Sequence, residues 1–263
     1  MHQFHDALVS FAERRGIHMN NLYIVMPAYN EEENISKVIE SWYPILKDKS
    51  PDSKIVVAPY GSNDRTIPIL EELKSEKYPQ IDILISDNQY HGPKVISLYK
   101  YAIKNGADYI FQTDSDGQTS PLEFESFWNL RNDYDCIIGN RVKRGDGKSR
   151  AFVEKIVCIL LRIFFGVNVP DANAPFRLMK ADILAKYVSK LPDDYNLPNI
   201  MITTYLSYYK EKVCFQPISF QNRTAGTNSI NFKKIIKIGM NSLGDFYRFK
   251  KLMKNEISCD IDQ

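Results

Sequence analysis

The sequence predicts an α/β fold in which a mainly parallel sheet is flanked by helices. Short β-rich runs alternate with helical stretches from Leu22 onward, which is the pattern of consecutive βα units. Polar loops follow the apolar runs, and in an open sheet of this kind the loops at the carboxyl ends of the strands form the ligand crevice. With 263 residues, of which 44% are hydrophobic, the chain is long enough to bury a large core.

The first half of the chain repeats the order strand, loop and helix. We predict strands over 22–26, 54–58, 81–85 and 107–112. The helices between them are expected to start near Glu31, to run through about Ser75 and to end at Asn105 and Gly106. Charged residues interrupt the segment 1–16, which therefore predicts a short amphipathic helix rather than a signal peptide.

The second half is less regular. We predict a strand over 135–141, an apolar helix over 151–169, a short strand after Pro170, a helix ending near Tyr209 and a strand over 213–220. The apolar helix contains Glu154, Lys155 and Arg162, so it is too short and too charged to cross a membrane. The segment 232–254 has seven Lys or Arg residues against one Asp, and suits either an anionic membrane surface or the solvated face of a closing helix.

Two aspartates one residue apart follow the fourth predicted strand. In an extended chain Asp114 and Asp116 lie on the same side, and Gly117 lets the backbone turn away after them. Such a pair suits Mg²⁺ or Mn²⁺, which keeps open positions for the oxygens of a diphosphate. A capped turn is the structural alternative, because Asp, Ser and Gly are common turn formers. A calcium loop is not supported, since Gln118 and Thr119 occupy places where an EF-hand has Asp or Asn and Gly.

Composition and missing motifs narrow the function classes. A net charge of +2 is too small to indicate nucleic-acid binding by bulk attraction. The four cysteines lack C-x-x-C pairing, which favours reduced thiols in a cytoplasmic protein. Neither a dinucleotide glycine fingerprint nor a Walker A motif is present, so the sequence does not support a dehydrogenase or a P-loop enzyme.

Three motifs follow three of the predicted strands in this order: Pro27-Ala-Tyr-Asn-Glu31, Gly61-Ser-Asn-Asp64-Arg-Thr66 and Asp114-Ser-Asp116-Gly-Gln118. With this order and spacing, the chain resembles a family 2 glycosyltransferase, a family with the Rossmann-like GT-A fold. Three later motifs resemble the polyprenyl-phosphate sugar transferase branch, which contains dolichol-phosphate mannose synthase: Gly139-Asn-Arg141, Phe176-Arg177-Leu178 and Arg223-Thr-Ala-Gly226.

The resemblance covers about residues 22–230 and implies a domain organisation. A GT-A domain over 1–230 would have a nucleotide-sugar half at 22–118 and a less regular acceptor half at 119–230. Residues 231–263 would form a basic amphipathic helix and an acidic tail.

The resemblance also assigns the donor site. It implies that Asp116 ligates the metal, that Asp114 lies near the nucleotide or the metal, and that Gln118 supports the metal site. Further positions match those that contact the donor: Pro27, Tyr29 and Glu31 for base and ribose, Asp64 in the nucleotide pocket, and Lys94. Two of these residues also have a structural alternative to donor binding: Glu31 suits the start of a helix, and Asp64 can cap the next helix, just before Thr66.

One position departs from the family pattern. Members usually have one or two aspartates just before the Gly-Ser pair, whereas this chain has Pro59 and Tyr60. Tyr60 can stack on a base instead, which is a less discriminating contact. The choice between a UDP- and a GDP-hexose therefore stays open.

The acceptor decides which further residues are needed. A lipid phosphate is already ionised and requires bidentate positive charge, and the resemblance gives this role to Arg141, Arg150 and Arg223. A hydroxyl acceptor would instead need a carboxylate base, for which the candidates are Asp171, Asp193 and Asp194. Glu154 stands where the branch often has a serine, which would place an anion near the phosphate.

The sequence thus suggests a metal-dependent inverting glycosyltransferase that moves a hexose from a nucleotide sugar to polyprenyl phosphate. We expect a protein held peripherally at the cytoplasmic face of the cell membrane. Two alternatives are an enzyme that extends a lipid-linked glycan or surface polysaccharide, and a nucleotide-sugar-binding protein that has lost catalysis.

Overall fold

A computed structural model of the chain describes residues 19–85, 90–144, 148–221 and 243–256. The strands are β1 (Leu22–Pro27), β2 (Lys54–Ala58), β3 (Ile81–Ile83), β4 (Tyr109–Gln112), β5 (Cys136–Arg144), β6 (Arg177–Lys180) and β7 (Val213–Phe220). The α-helices are α1 (Ile35–Trp42), α2 (Thr66–Glu76), α3 (His91–Lys104), α4 (Phe124–Trp128), α5 (Lys148–Phe165), α6 (Ala181–Val188), α7 (Pro198–Tyr208) and α8 (243–256). Short 3₁₀ helices cover Tyr43–Asp48 and Pro121–Glu123.

The strands form one sheet in the order β3-β2-β1-β4-β6-β5-β7. The pairs β2–β3, β1–β2, β1–β4 and β5–β7 are parallel, whereas β6 is antiparallel to both β4 and β5. This confirms the mainly parallel α/β fold predicted from the sequence. Because β1, β2 and β4 point the same way, their carboxyl ends and the three motifs that follow them share one edge of the sheet.

Strand β1 shows why the sheet is buried on both faces. Side chains alternate across a strand, so Tyr23 and Val25 pack into one hydrophobic layer while Leu22, Ile24 and Met26 pack into the other. The first layer is covered by α3, α6 and α7, and the second by α1, α2 and α4. Burial of both faces is characteristic of parallel sheets, and it explains why the strand is an almost continuous apolar run.

Some element boundaries differ from the predicted ones. Helix α1 begins at Ile35 rather than near Glu31, because the residues after β1 form a turn that is bonded to the next loop. Strand β3 ends at Ile83 instead of residue 85. The apolar helix ends at Phe165, and Gly166 follows with a φ of +73°, the left-handed conformation that terminates many helices.

Helix α8 packs onto the core through Phe246, Phe249 and Met253, which are buried. The Phe246 ring lies 6.0 Å from the ring of Phe164 and 5.8 Å from that of Phe165, so α8 contacts the end of α5. The predicted helix over 1–16 and residues 232–242 of the predicted basic helix lie outside the described residues. Among the helices that the structure describes, none has the length and hydropathy to cross a bilayer.

Candidate active site

The loops after β1 and β2 are bonded to each other at the carboxyl edge of the sheet. Asn30 donates its backbone N–H to Ser62 Oγ (3.1 Å) and accepts, through Oδ1, from the Asn63 N–H (2.9 Å). Glu32 accepts from the Arg65 N–H at 2.9 Å through Oε2. Asn30 has a φ of +54°, which asparagine tolerates better than most residues. The two loops therefore form one connected unit at this edge of the sheet.

The predicted base and ribose positions follow one another at the end of β1. Pro27 is the last residue of the strand, and the Tyr29 ring is exposed. Glu31 is buried; its N–H donates to Thr66 Oγ1 (2.8 Å), and its Oε2 accepts from Asn34 Nδ2 (2.7 Å). The Glu31 carboxylate is thus held in place by its own chain, whereas the Tyr29 ring is open to a ligand.

Both carboxylate oxygens of Asp64 accept hydrogen bonds from neighbouring residues of the chain. Oδ1 accepts from the N–H (3.0 Å) and the hydroxyl (2.5 Å) of Thr66, and Oδ2 accepts from the Glu32 N–H (3.0 Å). Burial alone would raise the pKa of Asp64, but these hydrogen bonds outweigh it and lower the pKa. The capping alternative therefore describes the contacts seen here, and a nucleotide role stays a prediction. Tyr60 is partly buried at the start of the same loop.

The aspartate pair lies directly after β4. Ser115, between the two, donates its hydroxyl to the Pro27 carbonyl at 2.8 Å and so joins this loop to the end of β1. Asp116 is buried and Asp114 is partly exposed. Gly117 has a φ of +74°, so the backbone does turn away at the predicted glycine.

Gln118 connects the aspartate loop to the chain after β7. Its N–H donates to Asp116 Oδ1 (3.1 Å), and its Nε2 donates to the Gln221 carbonyl (2.7 Å). The Gln221 N–H in turn donates to the Gln118 carbonyl at 2.9 Å. These bonds fix the Gln118 backbone beside Asp116 and its side-chain amide beside Gln221.

The residues present fit a hard divalent cation that takes only part of its ligands from protein. In the described part of the chain, no group of three or more His, Cys, Asp or Glu side chains is arranged to hold a metal ion. Asp114 and Asp116 supply oxygen ligands, as Mg²⁺ and Mn²⁺ prefer. One or two carboxylates, completed by substrate phosphates and water, are an ordinary set for Mg²⁺.

Lys94 places a buried cation beside the end of β1. Its Nζ donates to the Ala28 carbonyl (2.7 Å) and lies 5.4 Å from the centroid of the Tyr29 ring. Burial lowers the pKa of Lys94 to about 8. The preceding Gly92 is required by packing, because a Cβ there would lie 2.5 Å from the backbone of Asn196.

Arg141, in the carboxyl half of β5, lies between two acidic side chains. Its Nε and Nη2 donate to the two carboxylate oxygens of Asp171 at 2.7 and 2.8 Å, and Nη2 lies 3.5 Å from Glu154 Oε2. The guanidinium also lies over the Phe220 ring, 5.2 Å from its centroid. The three ionised groups together carry one net negative charge. The structure therefore pairs Arg141, which was predicted to bind the lipid phosphate, with Asp171, one of the predicted bases.

Arg177 is a buried residue for which the sequence predicted no role. Its Nε and Nη2 donate to the Ala174 carbonyl (3.0 and 2.8 Å), and its Nη1 donates to the Asn199 carbonyl and Thr203 Oγ1, both at 3.3 Å. These bonds hold the loop that carries Asp171 against α7. The available signal was an arginine inside an apolar strand, in the motif that begins at Phe176.

The remaining predicted residues are less informative. Arg150 lies in the first turn of α5 and is partly buried. Asp193 and Asp194 are exposed, and Asp193 forms an ion pair with Lys100. Arg223 lies outside the described residues. Of the three candidate bases, only Asp171 lies beside Arg141.

Comparison with known proteins gives a family match and two named relatives. The family described as glycosyl transferase family 2 matches residues 23–188. The undecaprenyl-phosphate 4-deoxy-4-formamido-L-arabinose transferase of Pectobacterium atrosepticum is 22% identical over 222 residues, which are 84% of this chain and 65% of that protein. The undecaprenyl-phosphate mannosyltransferase of Micrococcus luteus is 26% identical over 167 residues, 61% of this chain and 66% of that protein. The chain thus spans slightly less than two thirds of the length of either relative.

A solved structure shows the same fold. The glucosyl-3-phosphoglycerate synthase of Mycobacterium tuberculosis, in complex with Mn²⁺, uridine diphosphate and glucosyl-3-phosphoglycerate, superposes with a TM-score of 0.58. Its sequence is 18% identical, and the match covers 87% of this chain and 76% of that chain. At this identity the likeness concerns the fold, and it confirms the GT-A class that the sequence predicted.

Proposed function

Because the chain belongs to glycosyltransferase family 2, we propose that it transfers a hexose from a nucleotide sugar to a polyprenyl phosphate, with inversion at the anomeric carbon. One observation carries this proposal: the loop of the aspartate pair and the buried Lys94 meet at the end of β1, where Ser115 donates to the Pro27 carbonyl and Lys94 donates to the Ala28 carbonyl. The similar proteins named as undecaprenyl-phosphate sugar transferases support the class of acceptor.

The donor side has to stabilise a leaving diphosphate. The sugar leaves when its anomeric C–O bond breaks, and negative charge develops on the diphosphate oxygens. Asp114 and Asp116, supported by Gln118, would hold Mg²⁺ or Mn²⁺, which when bound neutralises that charge as a Lewis acid. Lys94 adds a second positive charge from a buried position, where electrostatic attraction is stronger than in water. Tyr29, and Tyr60 in place of the family's aspartates, would contact the nucleoside.

The acceptor side has to hold an anion against the anomeric carbon. A phosphate monoester oxygen is already ionised near pH 7, so its attack requires no general base. Arg141, together with Arg150 and Arg223, would supply the cationic contacts. Arg141 is already bonded to Asp171, so a lipid phosphate would have to displace or share that contact.

The same cluster favours one alternative acceptor. A hydroxyl must lose its proton as it attacks, and Asp171 or Glu154 beside Arg141 could accept it. The enzyme would then extend a lipid-linked glycan or a surface polysaccharide. A nucleotide-sugar-binding protein without catalysis is a further alternative, because Pro59 and Tyr60 replace the family's usual aspartates.

The proposal places the protein at a membrane, because polyprenyl phosphates are membrane lipids. We expect it to bind peripherally at the cytoplasmic face, where nucleotide sugars are available, and the basic segment 232–254 is one candidate contact. No nucleic-acid partner is expected.

A donor and acceptor panel tests the proposal. Purified protein is incubated with labelled UDP- and GDP-hexoses, Mg²⁺ or Mn²⁺, and either a short polyprenyl phosphate or an oligosaccharide. Label on the lipid supports the proposed function and identifies the base and sugar. Transfer only to the oligosaccharide would support the alternative enzyme, and donor binding without any transfer would support the binding protein.

A further inference from the structure

Helix α5 exposes a line of apolar side chains. Phe152, Ile156, Ile159 and Ile163 are 59%, 41%, 58% and 67% exposed. Their spacing of four, three and four residues places them on one side of the helix, along about 16 Å of its length. These four residues are called the α5 stripe. A soluble protein rarely leaves such a contiguous apolar strip open to water, so its exposure indicates an interaction surface.

The charges of α5 are divided between its two sides. Lys155 and Arg162 are exposed on the same side as the stripe. The helix has one acidic residue, Glu154, and this side chain is turned inward, where it accepts from the Ala172 N–H at 2.8 Å and lies beside Arg141. The exposed side of α5 therefore combines apolar residues with positive charge and carries no acid.

We propose that the α5 stripe binds the surface of an anionic lipid bilayer, with the helix axis in the plane of the membrane. Basic residues beside an apolar strip are the composition of interfacial helices, which insert the strip and pair the cations with lipid headgroups. The helix has 18 residues and, like every helix among the described residues, does not qualify as a membrane span, so it lies on the bilayer.

Charge also distinguishes a membrane from a second copy of the chain. In a symmetric dimer, the stripes of two copies would face each other, since a two-fold contact uses the same patch twice. Lys155 and Arg162 of both copies would then meet at one interface, and the exposed side of α5 offers no acid to pair with them. Anionic headgroups supply the missing negative charge.

This surface deepens the proposed function and rests on it for its purpose. The inward side of α5 contacts Arg141 through Glu154, so a bilayer on the outward side would bring the acceptor residues close to lipid headgroups. A polyprenyl phosphate could then reach the site with its chain still in the membrane.

Vesicle co-sedimentation with the full chain tests the surface. The vesicles contain phosphatidylglycerol and phosphatidylcholine, or phosphatidylcholine alone, and no polyprenyl phosphate. The variant is Ile159→Ser/Ile163→Ser, and the matched control is Ile85→Ser, which removes an isoleucine that is also 58% exposed but follows edge strand β3. We expect the double variant to bind anionic vesicles about tenfold or more weakly, and the control to bind like the wild type.

Each outcome bears on the proposal directly. It is overturned if the wild type ignores anionic vesicles, if the double variant binds them unchanged, or if sedimentation shows that the variant breaks up an oligomer. A melting temperature equal to that of the wild type verifies folding, which is expected because both isoleucines are exposed. Transfer to a short polyprenyl phosphate without vesicles is measured separately. Its absence in the wild type would refute the proposed function while leaving the vesicle result standing.

Discussion

Lys94 is a buried ammonium with a pKa of about 8, and the proposed donor site makes that value functionally relevant. Free enzyme holds the cation below this pH and loses it above, so kcat/KM for the donor should fall as the pH rises through about 8. The pKa of Lys94 in the folded protein lies below the ordinary 10.5, so protonation of Lys94 favours the unfolded chain. The contribution of Lys94 to the free energy of unfolding should therefore rise as the pH increases from about 8 to 10.5.

Substitution of Lys94 tests its role. Lys94→Met should lower kcat/KM for the donor at pH 7 by roughly tenfold to a hundredfold, the range of one charge-assisted bond, and should remove the decline near pH 8. The control is Lys104→Met, an exposed lysine in the last turn of the same helix. Steady-state kinetics from pH 6.5 to 9.5 measure both effects. A decline that persists in Lys94→Met would assign it to another group.

Asp116 can be stripped of its charge with little change in shape. In Asp116→Asn, the side-chain oxygen can still accept from the Gln118 N–H, while the charge that would bind a cation is lost. We expect metal-dependent transfer to fall by about a thousandfold, with the melting temperature nearly unchanged. The control, Asp133→Asn, alters an exposed aspartate before β5, at the opposite edge of the sheet. Full activity in Asp116→Asn would remove the metal role.

Substitution of Glu154 distinguishes a lipid phosphate acceptor from a hydroxyl acceptor. Glu154→Gln keeps an oxygen for the Ala172 N–H but removes one negative charge beside Arg141. With a lipid phosphate acceptor, less repulsion should lower the acceptor KM several-fold. With a hydroxyl acceptor that uses this carboxylate as base, kcat should fall instead. Kinetics with both acceptors measure the difference, and Glu125→Gln, an exposed acid on α4, is the control.

At the level of elements, the local sequence pattern predicted which strands and helices exist better than it predicted which strands are neighbours in the sheet. Strands β1, β2 and β4 were predictable because each is a short apolar run followed by turn residues. The insertion of antiparallel β6 between β4 and β5 was not, because partner choice depends on contacts between residues far apart in the chain. Helix α1 starts late because Glu31 donates its N–H to Thr66, which is 35 positions away.

The same distinction applies to the site. The aspartate pair could be named because it follows a strand, and the sheet brings such loops together. Lys94, inside the helix His91–Lys104, was named through the family resemblance. The pairing of Arg141 with Asp171 spans 30 positions, and it joins residues that the sequence had assigned to competing mechanisms. The sequence assigned Arg177 no role, because most of its partners are backbone carbonyls, which carry no signature in the sequence.

Helix α8 offers a test at the element scale. The Phe249 ring is buried 5.3 Å from that of Tyr195 and 6.2 Å from that of Tyr205, whereas Tyr247 on the same helix is exposed. Phe249→Ala should lower the free energy of unfolding by about 3–5 kcal/mol, the usual cost of deleting a buried phenylalanine. Tyr247→Ala should change it by less than about 0.5 kcal/mol. Urea titrations measure both, and equal losses would show that α8 does not pack on the core through Phe249.

At the scale of the whole molecule, the direction of β6 explains how one edge of the sheet would serve both substrates of the proposed reaction. The proposed donor residues follow β1 and β4 at their carboxyl ends, and Arg141 lies toward the carboxyl end of β5. Because β6 is antiparallel, its amino end lies at that same edge, next to the loop that carries Asp171. The sheet thus places the aspartate pair and the Arg141 cluster on one side, with Arg177 between them.

This arrangement predicts that donor product and metal stabilise the protein together. A ligand that binds only the folded chain raises stability by about 2.7 kcal/mol at a hundred times its Kd. For a chain of this size, such a gain corresponds to a rise in Tm of roughly 5–10 °C. We expect this shift with UDP or GDP plus Mn²⁺, and a much smaller one with either component alone or with EDTA. Thermal unfolding measures the shift without any acceptor, so it tests the donor site independently of catalysis.

In Asp116→Asn the joint shift should disappear, whereas in Asp133→Asn it should persist. A nucleotide shift that is the same with Mn²⁺ and with EDTA would mean that the diphosphate is held by the protein's own cations, with Lys94 the first to examine.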